Sequence, residues 1–538
     1  MEFDRIVEAL RSPAAYPWSV GSVDYVETHI SSVFLAGDKV LKLKRPVCFP
    51  FVDFSSPALG RRACEREVVL NRRLSDDAYL GVASIVPDGT GVRVEVGARD
   101  DALEQATLMR RLDPADMLDA RLSPGASPPA DLARSLAARL VPFHRDAAPP
   151  CVADPTDPTS PVLRIPTENL DELRRFAGTP LSGYLMGRID DVLRGFPTEH
   201  PSLFAGRAVD GWVREGHGDL RCEHICMPDG SPLQVIDCVE FNADLRCADI
   251  ASDLAFLLMD LHHRGAPPAV IRELVRAYEE SGIPLPVGLL RYYWVHRALV
   301  RAKVHCLQLG HPDPQRRAVS SAKAGHYVAV AAAQVCTAAP MVVVMMGFSG
   351  AGKSTMAGDL AMALSADRIA TDAVRAALAE GSAPMAAGWG EGAYAGGWDD
   401  RVYGRLFGLA RERLAAGRPV VLDGTFLHPS RRAQAAALAR ERGVPLLVVH
   451  VTCDETVVLR RLADRAEHGG VDSYATADTY RRQRAMASSP ETGLPPDLLL
   501  VEVDTSAEAP ADIGAPIARL EAAGLVTFGI RGTGDLVT

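Results

Sequence analysis

A chain of 538 residues is too long for one hydrophobic core and implies two or three domains. With 47% hydrophobic and 23% charged residues it falls in the soluble globular class, which excludes collagenous, coiled-coil and wholly disordered chains. The 58 Lys and Arg against 68 Asp and Glu leave a net charge of -10, so a nucleic-acid-coating role is not expected and phosphorylated small molecules would need a local basic cleft.

The start, MEFDRIVEALRSP, carries acidic side chains and no continuous apolar run, and stretches such as Met341 to Met346 fall far short of the ~20 residues of a membrane helix. No membrane association and a cytoplasmic location are expected, where the 10 cysteines would stay reduced. Cys222, Cys226, Cys238 and Cys247 fall near His217 and His224. They lack the paired C-x-x-C spacing of structural zinc sites and read as small buried apolar residues.

Taken in chain order, residues 22–45 alternate like a hairpin around Ala36-Gly37-Asp38. Residues 57–74 take helical spacing through Ala63, Val68, Val69 and Leu74, residues 83–96 return to strand, and 108–112 lead into a helical half. The Pro- and Asp-rich stretch 145–162 reads as a long surface loop. Helical patterns run from 265 to 335 and end in an Ala-rich stretch before Pro340, where the domain boundary is placed. A strand at 341–346, a helix after 353, a strand at 418–422, a helix at 428–442, a strand at 444–451 and a helix at 455–466 predict a parallel sheet with crossover helices. The last 30 or so residues carry little signal.

Within this second half, Gly347-Phe348-Ser349-Gly350-Ala351-Gly352-Lys353-Ser354-Thr355 satisfies G-x-x-x-x-G-K-[ST] between an apolar strand and a helix. The glycines let backbone N–H groups wrap a phosphate, Lys353 neutralises its oxygens, and Ser354 is the expected Mg²⁺ ligand. Asp372 and Arg375 in ATDAVRAAL, Asp423 in VVLDGTF, and Arg460, Arg461 and Arg465 follow. With the loop they resemble the P-loop small-molecule kinases, a group that includes gluconate kinase, the zeta-toxin kinases and the kinase domain of polynucleotide kinase. The resemblance covers about residues 341–508. It implies Asp372 as the base for an acceptor hydroxyl, Arg375 as a substrate or phosphate clamp, and Arg460 and Arg465 as lid residues. Asp423 reads either as a metal-shell carboxylate or as a cap of the next turn.

In the first half, Gly216-His217-Gly218-Asp219-Leu220-Arg221 is followed 18 positions after Asp219 by Asp237 in VIDCVEF. This order resembles the catalytic loop and metal-binding Asp of the aminoglycoside phosphotransferase family, which shares the protein-kinase fold. It implies Asp219 at the acceptor hydroxyl and Asp237 at Mg²⁺. Upstream, Lys42 or Lys44 on a strand and Glu67 or Glu65 on the next helix resemble the kinase Lys–Glu pair. THISSVFLAG stands in the place of the nucleotide loop, with Ser31 and Ser32 instead of glycines. The family expects an amide where this chain has His224, a softer candidate metal ligand. Glu240 and Asn242 are candidates to face substrate, and Asp253 reads as a structural anchor.

Together these stretches look like two-domain bacterial proteins that join an aminoglycoside-phosphotransferase-like domain to a P-loop kinase domain. The implied fold is an α+β kinase-like bilobal domain at 1–340, with lobes at about 1–108 and 113–335, then an α/β P-loop domain at 341–508 and a tail at 509–538 of undetermined structure. The implied activity is transfer from ATP, or another NTP, with Mg²⁺ to a small hydroxylated molecule such as a sugar, aminosugar or nucleoside, using two nucleotide sites. The alternative is that only the P-loop half transfers phosphate, the first half being a ligand- or nucleotide-binding regulatory module.

Overall fold

The computed structural model describes residues 2–49, 52–123, 125–126, 128–149, 157, 160–379, 397–468, 475–495, 498–507 and 511–537. They form two compact units: one of Met1–Pro166, Glu199–Trp294 and Gly534–Thr538, the other of Thr167–Thr198 and Val295–Thr533.

The first unit is built on an antiparallel sheet. Its sheet runs Val23–Glu27, Ser31–Ala36, Lys39–Lys44, Glu104–Arg110, Tyr79–Asp88, Gly91–Val96, with every neighbouring pair antiparallel. The tight turn after Ala36 needs a left-handed residue, supplied by Gly37 at φ +67°. Alternation places Phe34, Leu41, Leu43, Ala106 and Leu108 on one face, packed with Ile6 and Leu10 of the helix Phe3–Leu10. Lys42, Lys44 and Thr107 therefore point to the other face, toward the helix Pro57–Asn71. That helix buries Ala63 and Val68 but leaves Val69 exposed.

Residues 108–110 complete the strand Glu104–Arg110 at the centre of the sheet, and the helical half expected after 112 follows it. The helical half follows with Leu132–Asp146, Ile250–His263 and Pro268–Glu280, and small antiparallel pairs carry its loops. In the expected loop 145–162, Leu132–Asp146 covers the start and Pro161–Leu173 begins at the end, while 150–156, 158 and 159 lie outside the described residues.

The second unit holds an all-parallel sheet in the order Asp367–Ala370, Val420–Asp423, Val342–Met346, Leu446–Thr452, Leu499–Asp504. Its central strand is buried along its whole length, as a strand covered on both faces requires. The phosphate loop leaves the carboxyl end of that strand, the usual place for a ligand in such a sheet.

The division between the units differs from a cut at 340. The helix Pro314–Val335 packs along Lys353–Ala363, the helix that follows the phosphate loop, and the strand Cys336–Ala338 pairs with Val526–Phe528. The tail is also structured, with a helix at Gly514–Ala522 held through Glu521 by Tyr184 and Arg188. A three-residue strand and a nine-residue Ala-rich helix are too short to show a period in sequence. Among the described residues no helix is long and apolar enough to cross a membrane.

Candidate active sites

In the first unit a buried charge network lies between the sheet and the helix Pro57–Asn71. Lys42 Nζ donates to Glu67 Oε1 at 2.8 Å and to Asp237 Oδ1 at 2.5 Å. Lys44 Nζ pairs with Glu67 Oε2 at 2.7 Å and donates to Glu240, and Thr107 Oγ1 donates to Glu67 Oε2 at 2.8 Å. The two lysines thus divide the carboxylates between them. Lys42 keeps part of its side chain accessible beside Asp237, whereas Lys44 is buried behind it and ties Glu240 to the sheet. Glu65 is exposed and stands outside the network. Burial would lower the Lys42 ammonium, but Asp237 and Glu67 more than offset it and hold it well above its usual range. Burial would raise Asp237, yet Lys42 and then His224 keep it well below the usual carboxylate range. Asp237 sits at φ +64°, a left-handed conformation held by its N–H donating to Tyr79 Oη at 3.0 Å.

Beneath the network, the loop 216–224 is anchored by Asp253, which accepts from the N–H groups of His217 and Gly218. Gly216 is required there, because a Cβ would lie 2.2 Å from Asp253 Oδ2. Burial lowers the His217 imidazole to about 4, so it is neutral and its Nε2 donates to the Ile236 carbonyl at 3.0 Å. Asp219 is gripped in parallel by Arg221, with Nε to Oδ1 at 2.7 Å and Nη2 to Oδ2 at 2.9 Å. His224 donates from Nδ1 to the Asp219 carbonyl at 2.8 Å, and its Nε2 lies 3.3 Å from Arg221 Nη2 and 3.5 Å from Asp237 Oδ2. The imidazole therefore stands between the two aspartates and braces the loop. Arg221 is a site residue that the motif contains but that no assigned role had singled out.

In the second unit the phosphate loop takes its shape from glycines in left-handed conformations. Gly347, at φ +149°, passes so close to the Val451 carbonyl that a Cβ would sit 2.3 Å from its oxygen, and Gly350, at φ +84°, rests against Val458 and Leu462. Gly352 caps the helix Lys353–Ala363, and Ala351 accepts from Thr505 Oγ1 at 2.7 Å. Ser349 exchanges two hydrogen bonds with the Gln483 amide, at 2.9 and 3.0 Å. Ser354 and Thr355 open the helix with exposed side chains.

Lys353 Nζ curls back to the Phe348 carbonyl at 2.6 Å. Burial lowers its ammonium to about 8, opposed by Asp423 and Asp372 and assisted by Arg465. The protonated form is the one that binds phosphate, so nucleotide affinity at this loop is expected to be flat below about pH 7 and to fall as pH rises above 8. Titration calorimetry in two buffers of different ionisation enthalpy checks this. Proton uptake on binding should appear above pH 8, and a flat profile to pH 9.5 without uptake would remove Lys353 from the phosphate.

Asp423 ends its strand almost wholly buried, accepts from Ser354 Oγ at 3.4 Å through Oδ1, and accepts from Arg368 at 2.6 and 3.1 Å through Oδ2. The next helix, Pro429–Arg442, is capped by His428. Arg375 is buried and pairs with both Asp372 and Asp399 at 3.0 Å. Of the helix arginines, Arg461 reaches Thr505 O at 2.8 Å, whereas Arg460 and Arg465 are exposed. Among the described residues no group of three or more His, Cys, Asp and Glu side chains is arranged to hold a metal ion. The hydroxyl of Ser354 and the carboxylate of Asp423 nonetheless suit Mg²⁺, which takes few protein oxygens and completes its shell with water and nucleotide phosphates.

These two sites can be set beside known proteins. The chain is 33% identical over 474 residues to the protein Rv2004c of Mycobacterium tuberculosis, covering 88% of this chain and 91% of that one. The counterpart Mb2027c of Mycobacterium bovis matches to the same extent. The chain belongs to the family of these mycobacterial proteins. An AAA-domain family model matches residues 342–490. Among solved structures, the GDP complex of aminoglycoside 2'-phosphotransferase-IIIa is 17% identical, covering 58% of this chain and 94% of that one, with a TM-score of 0.34. A gluconokinase from Sinorhizobium meliloti 1021 is 24% identical, covering 34% and 94%, with a TM-score of 0.25. The residues that the AAA-domain model matches include the whole phosphate loop and the helix that follows it.

Proposed function

We propose that the protein transfers a phosphoryl group from ATP, or another NTP, in a Mg²⁺-dependent reaction to the hydroxyl of a small molecule such as a sugar, aminosugar or nucleoside. The observation that carries this reading is the phosphate loop at the carboxyl end of the central strand, with Lys353 buried at the start of its helix, Ser354 Oγ 3.4 Å from Asp423 Oδ1, and Asp372 paired with Arg375. Phosphoryl transfer asks mainly for charge neutralisation and alignment. Lys353 and the loop N–H groups would hold the phosphates, and Ser354 with Asp423 would hold Mg²⁺, which supplies further neutralisation of the transferring group. Asp372 would orient and deprotonate the acceptor hydroxyl.

A ³¹P-detected screen of hydroxylated metabolites with the full chain tests the activity. With an acceptor found, Asp372→Asn should keep nucleotide affinity and lower transfer by roughly 10² to 10⁴, the range for general acid–base groups. An equal loss of ATP binding would instead put Asp372 in the metal shell.

In the first unit, Lys42, Glu67, Asp219 and Asp237 support a second nucleotide site. Two observations favour the regulatory reading of that unit: both Asp219 oxygens are occupied by Arg221, and His224 replaces the amide.

A further inference from the structure

Asp423 is one carboxylate with two different surroundings. Its Oδ1 faces Ser354 Oγ at 3.4 Å, while Oδ2 takes both Nε and Nη2 of Arg368, at 3.1 and 2.6 Å. Arg368 comes from the neighbouring strand Asp367–Ala370, where Ala370 lies in register with Asp423, so its guanidinium reaches the strand end from the side. Asp423 itself is 4% exposed, and water has little access to satisfy a second oxygen. Without Arg368 the carboxylate would keep a buried lone-pair set unpaired or turn to find a partner.

We infer that Arg368 is a positioning residue for the metal site: by holding Oδ2 it fixes the carboxylate so that Oδ1 is presented beside Ser354. The inference rests on the proposed Mg²⁺–nucleotide site at the phosphate loop. A guanidinium is suited to this task because its planar fork binds one oxygen through two donors and sets a rotamer, which a flexible ammonium does less well. The arginine lies outside the G-x-x-x-x-G-K-[ST] loop and four residues before Asp372, so no motif marks it. Its role follows from the strand register and the two hydrogen bonds to Asp423.

The test uses Mn²⁺ as an electron-paramagnetic probe, with ADP, on the full chain carrying Asp237→Ala so that the ion reports the phosphate loop. Arg368→Met is expected to weaken Mn²⁺ binding by roughly 10- to 100-fold, the usual effect of losing a partner that orients a metal ligand. Binding of ADP without metal should stay within about twofold, and Arg368→Lys should restore part of the loss. Arg368→Gln, which keeps shape and one donor, serves if the Met variant melts early. Unchanged Mn²⁺ affinity would overturn the inference, and tighter binding would show that Arg368 only competes with the metal. If the parent chain binds no Mn²⁺–ADP, the metal–nucleotide reading of the loop fails, and this inference with it.

Discussion

Replacing Lys353 with alanine is expected to lower phosphoryl transfer at the phosphate loop by at least roughly 10² to 10³, the range for removing one preorganised stabiliser of developing charge. The side chain is buried with Asp423 and Asp372 in its field, so no solvent cation can take its place at the same position. Its surroundings also argue that the fold survives the change. Burial already disfavours the Lys353 charge, and it donates a hydrogen bond to the Phe348 carbonyl. Initial rates with saturating ATP, beside near-ultraviolet circular dichroism, separate lost chemistry from lost structure. A variant that is folded and only a few-fold slower would mean that transfer happens elsewhere in the chain.

The second large effect concerns the first unit, where two aspartates are assigned different tasks. Asp237→Ala should abolish Mg²⁺-dependent nucleotide binding at this unit, lowering the measured stoichiometry of the full chain from two nucleotides to one. It removes the oxygen beside Lys42 and leaves that buried ammonium with Glu67 alone. Asp219→Asn should leave both nucleotides bound and remove transfer from this unit only. His224→Asn completes the set. An asparagine can still donate to the Asp219 carbonyl, and it offers Mg²⁺ an oxygen in place of a softer nitrogen, so metal dependence should sharpen or activity rise. If the stoichiometry is one in the parent chain, the first unit binds no nucleotide, and both the kinase and the nucleotide-sensor readings of it fail.

Much of this arrangement was legible in the sequence because the chemistry is local. The phosphate loop is nine consecutive residues, the strand Lys39–Lys44 follows an obvious turn, and the loop at 216–221 lies 18 residues from Asp237 counted from Asp219. What escaped depends on register and distance. Nothing in KVLKLKRP says that Lys42 and Lys44, two apart and on one face, would share the two oxygens of a single glutamate. Arg368 and Gln483 meet the phosphate loop's neighbourhood from 55 residues before Asp423 and 134 residues after Ser349. Arg460 and Arg461 are adjacent in sequence, and only the helix rotation decides that Arg461 reaches Thr505 while Arg460 faces out. The strand Glu104–Arg110 was hidden for a different reason. Its EQATLMR mixes polar and apolar residues without clean alternation, since both of its faces are buried and the one turned to Glu67 carries Thr107.

The helix Pro314–Val335 buries Tyr327, Val328, Ala331, Ala332 and Val335, and His326 meets Asp359 at 2.7 Å on the helix behind the phosphate loop. The strand that continues it, Cys336–Ala338, closes on Val526–Phe528 near the other end of the chain. In genetic terms, Pro340 is therefore a poor crossover point even though sequence composition marks it as a seam. A recombinant that exchanged everything after Pro340 would set the incoming parallel sheet and its terminal strand against a helix and a partner strand that came from the other parent. A viable exchange of the phosphate-loop module would have to carry residues 314–340 along with it, so the coding sequence just upstream of the seam belongs with the downstream module.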